Sequence, residues 1–128
     1  MKTYKIGKIE VMGFDLPSQT QNEVTYHTAW EAMASSEYKD YWRMPTIEEM
    51  KYLLMFQIQY PVLGINTNRP YWTSDYDTQG ATASIVSLKK TRLVNLGKGL
   101  PVPVSSNQLI SNRTSMYNLY PVRFVRDI

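Results

Sequence analysis

Residues 105–120 read Ser-Ser-Asn-Gln-Leu-Ile-Ser-Asn-Arg-Thr-Ser-Met-Tyr-Asn-Leu-Tyr and carry the densest binding chemistry in the chain. Tyrosine offers a large amphipathic contact area at low conformational cost, and Ser and Asn offer hydrogen bonds that adapt to a partner. Arg and Tyr are also the residue types that most often carry binding energy at interfaces. On that chemistry Asn107, Asn112, Arg113, Tyr117 and Asn118 are the candidate ligand-binding residues. The competing use of the segment is a solvated loop covering a sheet. Asn112-Arg113-Thr114 also fits the N-glycosylation pattern, which without secretion is expected to be an accident of composition.

Catalytic chemistry has far less to work with. His27 is the single histidine, and no H-x-x-x-H or H-x-E spacing surrounds it. The absence of cysteine removes disulfides, thiolate metal sites and cysteine nucleophiles together. The expectation is no catalytic residue, no metal and no cofactor, with His27 on a helix surface. Asp75 and Asp77 offer two carboxylates, but calcium needs several hard oxygens converging on one point. Turn chemistry explains them at least as well, so they remain a weak calcium candidate. Residues 75–79 are the second choice for a ligand surface.

A chain of 128 residues is long enough for one domain with a single core, taken as residues 1–128. With 43% hydrophobic and 20% charged residues it has a globular rather than a disordered composition. The net charge is +3, and Lys89, Lys90 and Arg92 form its tight basic group. Three cations are a weak footprint for nucleic acid, whose affinity grows with the phosphates neutralised. Lysines guarding a strand edge explain them better, so no nucleic-acid partner is expected. No apolar run reaches the roughly 18 residues of a membrane span, and the first 15 residues lack the apolar block of a secretory signal. Synthesis in the cytoplasm without Sec export, and no membrane insertion, are the corresponding expectations.

Elements must position these residues. Residues 4–11 alternate as one strand closed by the turn residues Gly13 to Pro17, and residues 18–22 form a polar loop. A first helix is expected over residues 26–37, capped by Thr25 or Thr28, with Tyr26, Trp30, Met33 and Ala34 on its buried face. A second runs over residues 47–58, capped by Thr46 with Glu49 three residues on, and buries Ile47, Met50, Leu53 and Leu54. Short strands follow at residues 71–74, 81–88, 91–96 and 121–127, with Lys89-Lys90 as a hairpin turn. Residues 97–119 show no periodicity and form a long loop, of a length usually functional or disordered.

Three motifs carry a resemblance. Trp42-Arg43-Met44-Pro45-Thr46-Ile47-Glu48-Glu49 resembles the WRLPT-x-EE-L signature of bacterial C-type-lectin-like domains. Tyr71-Trp72-Thr73-Ser74 and Tyr120-Pro121-Val122-Arg123-Phe124-Val125-Arg126-Asp127 follow in the right order, so the likeness covers about residues 22–128. Relatives of this kind include the carboxy-terminal domain of the Legionella collagen-like adhesin and the Fibrobacter succinogenes major paralogous domain.

The resemblance implies an α+β, C-type-lectin-like fold. Two helices pack on a small antiparallel sheet, with a long loop before the last strand. It implies that the first strand, near residues 6–12, lies against residues 121–127 and brings the termini together, with Val122 and Phe124 on one buried face. Trp42 and Trp72 then belong to the core, and Arg43 to a structural salt bridge. Two enzyme relatives of the fold depend on cysteines or on a three-histidine iron site, and this chain has neither inventory. The Glu-Pro-Asn, Gln-Pro-Asp and Trp-Asn-Asp triplets of calcium-dependent lectins are missing too. The expected function is therefore a non-catalytic recognition module that binds a glycan or protein surface through residues 97–119. A fold of adhesins without cysteine or export signal fits a virion attachment or decoration protein, with other virion proteins and its own copies as partners. A protein–protein assembly module and a degenerate enzyme-fold domain binding a small ligand are the alternatives.

Overall fold

A computed structural model describes residues 2–16, 22–35, 41–95, 97 and 99–128. The expected loop at residues 18–22 falls largely outside them, and the first helix, expected over residues 26–37, ends earlier, at Ala34, because Ser35 is extended and its amide donates back to the Ala32 carbonyl. Among the described residues the chain is α+β, in the order β1 (Thr3–Ile6), β2 (Ile9–Met12), α1 (Tyr26–Ala34), α2 (Ile47–Gln59), β3 (Tyr71–Asp77), β4 (Thr82–Val94), β5 (Val102–Ser115) and β6 (Val125–Asp127). Two three-stranded antiparallel sheets result, β1-β2-β6 and β3-β4-β5, where one had been expected.

The first strand of the sequence reading is a hairpin. Gly7 at φ +60 lets the chain reverse over Gly7-Lys8, and Ile6 pairs Ile9 directly. A glycine leading a two-residue loop matches the twist of antiparallel strands. The expected meeting of the ends is present: β2 pairs β6 with Val11 opposite Val125, and the Met12 amide donates to the Phe124 carbonyl.

Two apolar clusters fill the interior. Val122 and Phe124 share one with Trp42, Trp72, Tyr26 and Ile85. Val125 belongs to the other, with Met50, Leu53 and Leu54 of α2, Tyr71 and Val86. The two expected tryptophans are thus core residues, exposed 7% and 0%. Arg126 lays its guanidinium 4.5 Å from the Trp42 ring centroid.

Local chemistry fixes the start of α2. The Glu49 amide donates to Thr46 Oγ1 at 3.1 Å, and the Thr46 amide donates to Glu49 Oε1 at 2.9 Å. Arg43 forks onto the same carboxylate at 2.7 and 2.9 Å and reaches Asp127 at 2.9 Å. Its backbone pairs Val125 in both directions. The Trp-Arg motif therefore clamps the helix start onto the last strand. Thr46→Ala is expected to cost about 1 kcal/mol through the lost cap, read as a lower urea midpoint at unchanged slope.

The same carboxylate responds to acid. The Arg43 bond, helped by the Thr46 amide and opposed by burial, holds Glu49 below its ordinary value of 4.5. A lowered folded value means that its stabilisation is complete above pH 4.5 and fades as pH falls through the lowered range. Melting temperature should therefore decline below that pH, and Glu49→Gln should decline less steeply from a lower starting point.

The largest correction concerns β4 and β5. Lys89 and Lys90 lie inside β4 rather than in a turn. Residues 102–115, expected to be loop, form a 14-residue strand paired along β4 from Val94↔Val102 to Thr82↔Ser115. The register skips between Lys89 and Thr91, setting Ser106 and Asn107 against Lys90 alone. That bulge reverses which residues of β5 face which side.

Candidate functional site

Thr25 starts α1 by accepting the Thr28 amide at 3.3 Å. Tyr26 then turns fully inward, and its hydroxyl donates to the Thr73 carbonyl at 2.7 Å. Burial pushes that phenol up to about 12. With Tyr26 and Ala29 as the tight contacts, the expected burial of Trp30 and Ala34 does not occur. Ala34 is exposed, and Trp30 is left 42% exposed on the flank of the helix. Met33 is half-buried.

Trp30 meets Tyr76 of β3, itself 43% exposed, edge to face with centroids 5.5 Å apart. Tyr76 stands opposite Ala83 on the side of the sheet that faces α1 and also touches Tyr26, centroids 6.0 Å apart. The pair divides two neighbouring depressions. One, of about 290 Å³, is lined by Tyr26, His27, Trp30, Tyr76, Thr78 and Met116. The other, of about 440 Å³, lies between the same two rings and Arg43, Ser74 and Asp127. An aromatic ridge with polar groups on both sides suits a ligand having an apolar face and a hydroxylated rim.

The five sequence candidates are not brought together as one cluster. Asn107 sits at the β5 bulge, exposed, several residues along the strand from the others. Asn112 lies opposite Ile85 and Arg113 opposite Ser84, so they point to opposite sides of the sheet. Arg113 pairs with Asp75 at 3.1 Å, and Ser84 donates to Asp75 at 2.6 Å. Asp75 is thereby committed to a cross-strand row, and Asp77 accepts the Gln79 amide as a turn residue. Tyr117 is 80% exposed in the turn after β5, and Asn118 donates to Thr114 at 2.7 Å. Thr114 shares the Ala83 row with Tyr76, so Asn112 and Asn118 are the candidates on the aromatic side.

His27 is exposed, as expected, and pairs with Glu31 one helical turn on. Among the described residues, no three His, Cys, Asp or Glu side chains gather into a group able to hold a metal. No helix among them is long and apolar enough to cross a membrane. Sequence reasoning missed Trp30 and Tyr76 as site residues. The one signal available was the small Ala29 beside Trp30: Ala29 is the residue the core cluster takes, and the larger ring is left at the edge. No family model matches the chain, and no curated protein matches it.

Proposed function

We propose that the chain is a non-catalytic recognition domain of the C-type-lectin-like kind that binds a glycan. The ligand surface is the Trp30–Tyr76 ridge. The fold assignment is supported by the paired termini, the Arg43–Thr46–Glu49 clamp and the core position of Trp72. The observation that carries the function is the exposure of two touching aromatic rings between two open depressions. A pyranose ring presents C–H groups on its faces and hydroxyls around its edge. It can stack on such a ridge while Thr78, Ser74, His27 and Asp127 reach the hydroxyls.

This moves the ligand surface away from Arg113 and Tyr117, the strongest sequence candidates. The test is a glycan array followed by calorimetry on the best hit. Trp30→Ala should weaken binding at least tenfold, about 1.4 kcal/mol. Arg113→Ala should change it less than threefold, and stability should shift by about 0.5 kcal/mol or so in each case. An array without hits, or a Trp30→Ala variant that binds as well as wild type, removes the reading. A loss confined to Arg113→Ala returns the site to the other side of the sheet.

A further inference from the structure

Two walls meet at the aromatic ridge, and each repeats one plan. On α1, His27, Trp30 and Met33 follow at three-residue spacing and form an inclined row, because residues three apart are neighbours on a helix. On β3 and the turn after it, Ser74, Tyr76 and Thr78 alternate, and side chains two apart along a strand leave on the same side. The rows run in opposite directions. Trp30 and Tyr76 meet in the middle, centroids 5.5 Å apart. His27 and Thr78 line the smaller depression, of about 290 Å³, together with both rings. Met33 and Ser74 line the larger, of about 440 Å³, together with the same two rings.

The ridge thus belongs to both depressions. From His27 to Met33 the helix advances about 9 Å, and from Ser74 to Thr78 an extended chain advances about 13 Å. A pyranose on one side of the ridge leaves the groups on the other side unused. Each volume sits near the lower end of the roughly 300–1,000 Å³ of small-ligand sites, which suits one sugar apiece.

Charge narrows the class further. Arg43 is held by both Glu49 oxygens and by Asp127, and His27 lies 2.8 Å from Glu31. Each charged residue lining the two depressions therefore has a partner among the described residues. No unmatched cation waits there for an acidic sugar, and no unmatched carboxylate for an amino sugar. Hydroxyls can still bond to the edges of these pairs and to Ser74 and Thr78, both exposed.

We propose that the site takes two linked neutral sugars, one on each side of the Trp30–Tyr76 ridge, so that the ligand is a segment of an oligosaccharide and not a single terminal sugar. This rests on the glycan reading and adds length and charge to it. One sugar presents its hydroxyls to His27 and Thr78. Its neighbour presents them to Ser74 and Asp127 and lies against Met33, whose unbranched thioether adapts to the shape it meets. The glycosidic linkage crosses the ridge. With the first sugar seated, that linkage holds the second at high effective concentration, so its contacts add directly to affinity. The row from His27 to Met33 takes up nearly all of α1, Tyr26–Ala34, and leaves no helix wall for a third sugar.

Calorimetry on the best neutral hit of a glycan array, and on its one-, two- and three-sugar fragments, tests the length. Two sugars should bind at least tenfold tighter than one, and a third should add less than threefold. Ser74→Leu and Thr78→Leu each fill one depression from an exposed position. In either variant the ratio of two-sugar to one-sugar affinity should fall towards one, with an unchanged circular dichroism spectrum. Trp30→Ala, which removes a ring common to both sides, should weaken every length. A wild type that binds one sugar as tightly as two overturns the proposal and leaves the ridge as a single-sugar site. A length gain that survives both leucine variants puts the second sugar elsewhere and overturns it too, as do hits confined to acidic or amino sugars. No binding at any length removes the glycan reading and this proposal together.

Discussion

Arg123→Met should lose about 3–5 kcal/mol of folding stability, the range for removing one partner of a buried ion pair. Arg123 is 1% exposed and lies in the final motif. Its Nε donates to Asp15 at 2.9 Å, and Nη1 donates to the carbonyls of Met12, at 2.9 Å, and Leu63. Nη2 reaches Gly64. One side chain thus satisfies the end of β2, the loop after α2 and an almost buried carboxylate. Methionine fills much of the volume but supplies no donor, so among the described residues Asp15 keeps the Tyr71 hydroxyl, at 2.7 Å, as its side-chain donor. Burial, and then the Asp15 charge, raise the Tyr71 phenol, so it remains a donor across the working pH range. Urea melts should show the loss, and adding Asp15→Asn to Arg123→Met should recover part of it by removing the unpaired charge. A loss below about 1 kcal/mol would mean that water replaces the guanidinium and the cluster is not sealed.

The second large effect is expected at Trp72. It is wholly buried, its indole N–H donates to the Val24 carbonyl at 2.8 Å, and it meets Tyr26 and Tyr120 edge to face at 5.0 and 5.1 Å. Trp72→Ala should cost about 3–5 kcal/mol from lost burial and the cavity left behind. The orphaned Val24 carbonyl adds to this. Trp72→Phe should fall between, retaining ring packing without the donor. Denaturant midpoints order the three proteins. Equal midpoints for the Phe and Ala variants would assign the whole effect to the N–H, and a Trp72→Ala variant near wild type would displace Trp72 from the centre of the core.

Local chemistry was legible where a few neighbouring residues decide the outcome. The start of α2 follows from Thr46 and Glu49, which satisfy each other's amides within one turn. Its buried residues follow from Met50, Leu53 and Leu54 recurring at helical spacing. The meeting of β2 with β6 was legible through resemblance, because nothing local to residues 9–12 names a partner more than a hundred residues away.

Tertiary structure alone decided the rest. β5 has no readable alternation because the bulge at Ser106–Asn107 shifts its phase. Val102 and Val104 lie opposite Val94 and Arg92, and beyond the bulge the same side continues through Leu109 and Ser111, opposite Leu88 and Val86, so even-numbered positions give way to odd ones. The outer half of β4, exposed from Lys89 to Leu93, also needs no apolar pattern, so neither half signals a strand. Lys89-Lys90 looked like punctuation but lies where two long strands leave the body, and the reversal falls instead among Asn95, Gly97, Gly99 and Pro101. The exposure of Trp30 could not be read from helical spacing. It depends on the core taking Ala29 rather than Trp30 from the helix, and on where β3, irregular between Trp72 and Tyr76, sets the Tyr76 ring beside it. Sequence supplied the aromatic and polar residue types, and packing chose which of them face water together.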